Sequence, residues 1–177
     1  MRLFIAVNFS DEVKSLVLSV QEQLRSQALR GNFSRPENLH LTLAFLGETP
    51  EEKLESLFRL MERIQSQPFE IHFSHTGCFT HSRKELWWIG LDRECPGFPF
   101  LASIHEKLLD SLEDAGFSAD KRPFNAHITL GREIKHSSPI VLDDTDIAVN
   151  VNRISLMESK HVRGLLTYTE LFGKNLN

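Results

Sequence analysis

Two short phrases in this sequence use nearly the same residues: His40-Leu41-Thr42-Leu43 and, 87 positions later, His127-Ile128-Thr129-Leu130. Imidazole is the side chain whose ordinary pKa, about 6.5, lets it serve as a neutral base or a protonated acid near neutral pH. A displacement at phosphorus needs both forms at once. One ring takes a proton from the nucleophile and the other gives one to the leaving oxygen. Threonine hydroxyls beside the rings would donate hydrogen bonds to the non-bridging oxygens, where charge builds. Each well-placed proton-transfer group is worth roughly 10²- to 10⁴-fold in rate, and this chemistry requires no metal. His40, Thr42, His127 and Thr129 are therefore the candidate site.

Other readings compete. A histidine on a strand is more often a surface or hydrogen-bonded residue, and His72, His75, His81, His105, His136 and His161 are read that way. Zinc usually takes three or four protein ligands. Two isolated histidines with no Cys, Asp or Glu at ligand spacing fall short of that, and nothing in the spacing of Asp11 or Asp120 recommends either as a further ligand. No metal and no cofactor is expected. A non-catalytic domain that grips a phosphorylated ligand with the same residues is the alternative to an enzyme. Anion binding alone, however, has no use for a matched proton donor and acceptor.

The elements that must position these residues follow from local pattern. An apolar residue between two polar ones is strand alternation, so His40 and Thr42 share a face, with Leu41 and Leu43 behind them, and likewise His127 and Thr129 with Ile128 and Leu130. Arg2 to Asn8 reads as a strand buried on both faces. Val13, Leu16, Val17, Val20, Leu24 and Ala28 form a helical stripe after an N-cap at Ser10, with Asp11 and Glu12 in the first turn and an end at Gly31-Asn32. Thr49-Pro50-Glu51-Glu52 predicts a capped helix start with a capping box, followed by a stripe of Leu54, Leu57, Phe58, Met61 and Ile64. Strands are predicted over 69–73 and 86–91 with a hairpin loop over 80–85. The 95–99 segment is a turn before a third helix lined by Leu101, Ile104, Leu108, Leu109 and Leu112, stopped by Gly116. The last strands are predicted over 147–156 and 165–172, joined by a 159–164 loop.

Composition narrows the class. The chain has 177 residues, 41% of them apolar, which suits one domain or a compact pair of lobes with a real core. Its 20 basic and 24 acidic residues give a formal charge of -4, so no bulk basic surface is available to coat nucleic acid and any phosphate site is local. Cys78 and Cys95 have no paired or metal-binding spacing, which suits a reducing cytoplasm. The apolar run at the N-terminus is too short for a signal peptide, and no stretch is long enough to cross a bilayer. A soluble, cytoplasmic monomer without a membrane partner is expected.

Each half of the chain offers a helix, an Arg-Pro approach (Arg35-Pro36, Arg122-Pro123), a His-x-Thr-Leu strand and further strands. Such a duplication places equivalent elements about a pseudo-twofold axis with a cleft between them. At these residues the sequence resembles the two-histidine phosphoesterases, and within them the bacterial RNA 2',3'-cyclic phosphodiesterases, also called 2'-5' RNA ligases (LigT type). The likeness lies in Arg2-Leu3-Phe4-Ile5-Ala6, in Asn38 to Gly47 and in Pro123 to Arg132, and extends over nearly the whole chain.

The resemblance implies an α+β fold, a single bilobal domain over 1–177. Two pseudo-symmetric lobes of antiparallel sheet with outer helices would flank a central cleft. It implies hydrolysis of RNA or nucleoside 2',3'-cyclic phosphates to 2'-phosphates, with reversible 2'-5' ligation as a side activity. Its substrates would be RNA ends or small cyclic nucleotides. By that likeness His40 is the acid that protonates the leaving 3' oxygen and His127 the base that activates water. Many relatives carry Pro directly before the second histidine, where this chain has Ala126, a residue that adopts extended angles readily. Arg132 is a further candidate phosphate contact, but strict alternation puts it on the face opposite His127 and Thr129, so it needs a bulge or the strand end to reach the cleft. Lys121, Arg122, Lys160 and Arg163 would form a local basic rim. Among the 13 Phe residues the sequence does not single out a base-stacking ring.

Overall fold

A computed structural model of the chain describes residues 1–82, 84–118 and 123–177. It is an α+β fold of two antiparallel sheets and three α-helices. Strand β1 (Arg2–Asn8) has five consecutive buried residues because it lies inside the four-stranded sheet, between β3 (His40–Glu48) and β8 (Arg153–Val162), with β9 (Leu165–Asn175) beyond. The five-stranded sheet runs β2 (Arg30–Phe33), β6 (His127–Lys135), β5 (Lys84–Leu91), β4 (Phe69–His81), β7 (Ile147–Val151). The sheets are not built one from each half of the chain. The N- and C-terminal strands make the first and the middle of the chain makes the second, so the two His-Thr strands lie in different sheets.

Helix α1 (Asp11–Gln27) starts as expected, with the Ser10 hydroxyl accepting from the Val13 N–H at 3.4 Å. It stops earlier than expected, at Ala28, because Gly31 is already in β2, where a Cβ would collide with the Ile134 side chain. Its buried stripe is Val17, Val20, Gln21 and Leu24, while Leu16 is 51% exposed. The stripe is thus turned away from Leu16 and admits a polar residue. Strand β2 had no sequence signal, being four polar-rich residues at a sheet edge held by pairing with β6.

The capping box at residues 49–52 does not form. Thr49 instead extends the β1–β3 ladder, its N–H donating to the Met1 carbonyl at 2.7 Å. A single 3-10 turn (Glu51–Lys53) precedes α2 (Leu54–Glu62). The stretch read as a hairpin loop is mostly ladder, with Thr80 opposite Glu85 and His81 opposite Lys84. Its polar exposed residues resemble a loop because the hairpin overhangs the core. The run over 147–156 breaks at Asn152, where the chain passes from the five-stranded sheet to the four-stranded one. The loop expected over 159–164 shrinks to Arg163 and Gly164, both at positive φ, the backbone a tight hairpin requires.

Helix α3 (Phe98–Asp114) ends in a left-handed Gly116, as expected, with the Phe117 N–H reaching back to the Leu112 carbonyl. Helix α1 packs on β2, β6 and β7, and α2 and α3 pack on the four-stranded sheet. Leu41, Leu43, Ile128 and Leu130 are all buried behind the histidine faces, in one apolar cluster that runs through both sheets. Among the described residues no helix is long and apolar enough to cross a membrane.

The start of α3 sits hard against β4. A Cβ on Gly97 would stand 1.8 Å from the Glu70 carbonyl oxygen and 3.1 Å from Ile71 Cγ2. Gly97→Ala is therefore expected to cost about 1–3 kcal/mol, the usual range for overpacking. A lower urea midpoint at unchanged slope would register it; an unchanged midpoint would show that α3 can shift freely.

Candidate active site

Strands β3 and β6 project their polar faces into a cleft of about 1000 Å³ between the sheets. All five residues singled out from sequence, His40, Thr42, His127, Thr129 and Arg132, line it. The two imidazoles are anchored alike. His40 Nδ1 lies 2.6 Å from the Asn38 carbonyl oxygen, and His127 Nδ1 lies 2.6 Å from that of Asn125. A carbonyl can only accept, so each Nδ1 carries the proton and donates, which leaves Nε2 as the nitrogen free for proton transfer. Thr42 Oγ1 is 3.0 Å from His40 Nε2, so the Thr42 hydroxyl donates to the neutral ring.

Burial governs the electrostatics. It pushes the His40 pKa down to about 4; the Arg132 and His127 charges act in the same direction, and the Asn38 carbonyl opposes them. His127 is also lowered, by burial first and by Arg132, against the Asn125 carbonyl. One guanidinium thus acts on both rings, and one ring acts on the other, as expected of groups that face a common space. An anion there would reverse the balance, because negative charge favours the protonated imidazole.

Arg132 reaches the cleft because β6 contains an extra residue. Thr129 is opposite Trp88 and Gly131 is opposite Trp87, so Leu130 has no partner and the alternation slips by one. Leu130 and Gly131 are both buried, and Arg132 returns to the face of His127 and Thr129. Strand β3 does the same. Thr42 is opposite Ala6 and Ala44 is opposite Ile5, which skips Leu43 and returns Phe45 to the face of His40 and Thr42. Each skipped leucine has its carbonyl held by a buried side chain from a helix. Gln21 of α1, 3% exposed, donates to the Leu130 carbonyl at 2.8 Å, and also to Ser34 O at 2.8 Å. His105 of α3, 8% exposed, donates from Nδ1 to the Leu43 carbonyl at 2.8 Å.

Two of these supporting residues escaped the sequence reading. His105 was grouped with the structural histidines, yet it lines the cleft, stacked on Phe124 at 4.0 Å. Gln21 was not singled out at all; its signal was a polar residue at i+4 from Val17 inside the apolar stripe. The expected basic rim is different. Lys121 and Arg122 lie outside the described residues, Lys160 pairs with Glu158 at 2.8 Å, and the cleft is lined instead by Arg2, Arg35 and Arg132. Aromatic rings flank both histidines: Phe4 and Tyr168 beside His40, at 4.9 and 5.2 Å, and Phe79 and Trp88 beside His127, at 5.5 and 6.3 Å. Among the described residues no three His, Cys, Asp or Glu side chains converge as a metal site.

Two outcomes follow from this geometry. Arg132→Met removes a charge that lowers both rings, so both His40 and His127 are expected to titrate at higher pH when followed by NMR; unmoved titrations would place Arg132 away from them. Gln21→Leu strips a donor from the Ser34 carbonyl and from the Leu130 carbonyl, which keeps the Ser34 N–H at 2.9 Å, so the expected cost is about 1–3 kcal/mol for the one group left unsatisfied. Urea denaturation measures that loss.

Comparison with known proteins agrees with this architecture. A family profile described as LigT like Phosphoesterase matches residues 7–88. An RNA 2',3'-cyclic phosphodiesterase of Archaeoglobus fulgidus is 38% identical over 144 residues, which cover 81% of this chain and 78% of that protein. One of Escherichia coli is 31% identical over 173 residues, 96% of this chain and 93% of the relative. Among solved structures, E. coli LigT in its apo form superposes with a TM-score of 0.84 at 29% identity, over 99% of this chain and 96% of that one. The same protein complexed with 3'-AMP gives 0.83 at 29% identity, over 99% and 97%. Similarity over so much of both chains, with the repeated histidine strands facing one cleft, shows that this chain belongs to the LigT-like phosphoesterase family.

Proposed function

We propose that the protein hydrolyses 2',3'-cyclic phosphates on RNA ends or nucleosides to 2'-phosphates, with His40 as general acid and His127 as general base. The observation that carries this reading is the matched anchoring of the two rings. Each has Nδ1 tied to a main-chain carbonyl and Nε2 left for the same cleft, with Arg132 acting on both. The names of the A. fulgidus and E. coli relatives support the substrate class, and the 3'-AMP complex of E. coli LigT supports a nucleotide in this cleft.

The steps balance without a metal. His127 Nε2 takes a proton from water as its oxygen attacks phosphorus. The bond from phosphorus to O3' breaks, and His40 Nε2–H protonates O3', leaving a 2'-phosphate and a free 3'-hydroxyl. Exchange with solvent restores both rings. Arg132 and Thr129 stabilise charge on the non-bridging oxygens. Thr42 joins them once His40 is protonated, because Nε2 then donates and the hydroxyl hydrogen is released from the ring. A 5'-hydroxyl in the place of water would give a 2'-5' linkage by the same steps, reversibly.

His40 must be protonated to act, although burial holds its pKa near 4. The substrate supplies the correction, since a phosphodiester anion between the rings raises both pKa values. For free enzyme and substrate, the flanks of kcat/KM against pH report the two lowered pKa values, so its maximum is expected below pH 6.5. The alkaline flank of kcat, which reports the bound complex, is expected at higher pH than that of kcat/KM. Coincident flanks would show that the bound anion leaves the titration of the histidine pair unaltered.

The direct assay is hydrolysis of a 2',3'-cyclic nucleotide in the presence of a chelator, with the product isomer identified. His40→Ala and His127→Ala are each expected to lower kcat by ~10²- to 10⁴-fold with the thermal transition retained. A near-native rate in either variant would remove that residue from the mechanism. Binding without turnover by the unaltered protein would favour the non-catalytic phosphate-binding domain.

A further inference from the structure

Most cations in contact with another side chain here meet an acid. Lys14, Arg25, Arg59, Lys84, Arg153 and Lys160 each lie against an Asp or Glu. Arg132 and Arg2 do not: among the described residues neither is paired with a carboxylate, and both line the cleft. Arg132 is accounted for by the histidines. Arg2 is not, and it stands at the far end of the same sheet face.

Its surroundings are defined by strand register. Arg2 is opposite Ser159, and Ser159 is opposite Tyr168, so the three form a row across β1, β8 and β9 on one face. Glu48, opposite Arg2 on β3, turns to the Met1 amino group at 3.9 Å. The Arg2 guanidinium stands 5.2 Å from the centroid of Phe45, the ring that the β3 bulge returns to the cleft face and leaves 38% exposed. Tyr168 connects this end with the site. Its ring lies 5.2 Å from His40, and its pKa, raised by burial, is drawn back by the charges of both Arg132 and Arg2.

We propose that Arg2 and Phe45 form a second nucleotide subsite, in which Arg2 binds the internucleotide phosphate next to the reactive end of an RNA strand and Phe45 stacks on a base. This rests on the phosphodiesterase reading of the histidine pair. From Thr42 to Phe45 the bulged strand advances only as far as β1 does from Ala6 to Phe4, roughly 7 Å at the usual rise per residue. That is too far for the phosphate being cleaved and suits its neighbour along the same strand. Exposed aromatic rings beside cations are the usual means of holding single-stranded nucleic acid. A chain with net charge -4 depends on such local cations for phosphate affinity. A cyclic mononucleotide has one phosphate and cannot fill both positions.

The experiment compares kcat/KM for a trinucleotide ending in a 2',3'-cyclic phosphate with that for the cyclic mononucleotide, in the unaltered protein and in Arg2→Met. The unaltered protein is expected to prefer the trinucleotide by about tenfold or more, the scale of a charged hydrogen bond. In R2M the ratio is expected to fall toward one. Equilibrium binding of a trinucleotide with a terminal phosphate, by anisotropy, is read in parallel. Its slope of log affinity against log salt is expected to shrink by about 0.7 in R2M, the loss of one single-strand phosphate contact. An equal ratio and an equal slope in both proteins would overturn the subsite. Failure of the unaltered protein to turn over either substrate would instead sink the phosphodiesterase reading, and the salt slope alone would then decide for or against Arg2.

Discussion

The extra residue next to the His-Thr pair of each histidine strand, Leu43 in β3 and Leu130 in β6, is the constraint on which the site depends. A bulge leaves a carbonyl outside the ladder, and a buried carbonyl without a donor costs about 1–3 kcal/mol. The fold meets that cost at Leu43 with the His105 ring of α3, and at Leu130 with the Ser34 N–H together with the Gln21 side chain of α1. The gain is a change of parity. Without the extra residue, Arg132 and Phe45 would point to the side opposite the histidines. With it, a guanidinium and a phenyl ring enter the cleft from equivalent positions. The helices thus do more than cover the sheets, because they hold the strand irregularities that arrange the cleft.

Burial of the imidazoles sets the electrostatics in the opposite direction from what the proposed reaction would need of its acid. A half-buried ring beside a guanidinium and a second ring prefers to be neutral, and His40 illustrates this with a pKa held near 4. The same groups are unfavourable to a proton only while the cleft lacks an anion. A phosphate diester would bring a negative charge to the cleft that Arg132, His40 and His127 line, where anion and proton would favour one another. Burial that keeps the rings neutral would thereby favour anionic ligands, since an anion stabilises the protonated form.

What could be read from the sequence was what short stretches decide by themselves. The Ser10 cap, the left-handed Gly116, the doubly buried β1 and the pairing of His with Thr on one strand face depend on neighbours in the chain, and each is present. What could not be read depends on distant partners. Strand β2 exists because β6 is beside it. Thr49 leaves its cap because Met1 offers a ladder position. The strand over 147–156 divides at Asn152 because the two sheets compete for its ends. Strict alternation alone puts Arg132 on the face opposite His127, and the bulge that returns it is braced by the Ser34 N–H and by Gln21, 109 residues earlier. The need for a bulge was legible; the side chain that stabilises it was not.

The repeat in the sequence suggests two halves that could each stand alone, and the topology argues against it. The first half carries β1 and β3 but not β8 and β9, which cover the other side of β1 and complete its sheet. It also carries α1, which packs not on β1 but on β6 and β7 of the second sheet. The second half carries β6 but lacks β2, which pairs with β6, and β4, which lies between β5 and β7. Each half therefore exposes apolar surface that only the other can cover, and the large buried cluster through both sheets is the result. Two lobes with separate cores would owe the spacing of their histidines to a docking surface. Here it is set by strands and helices exchanged between the sheets, so the cleft geometry is fixed by the same burial that folds the chain.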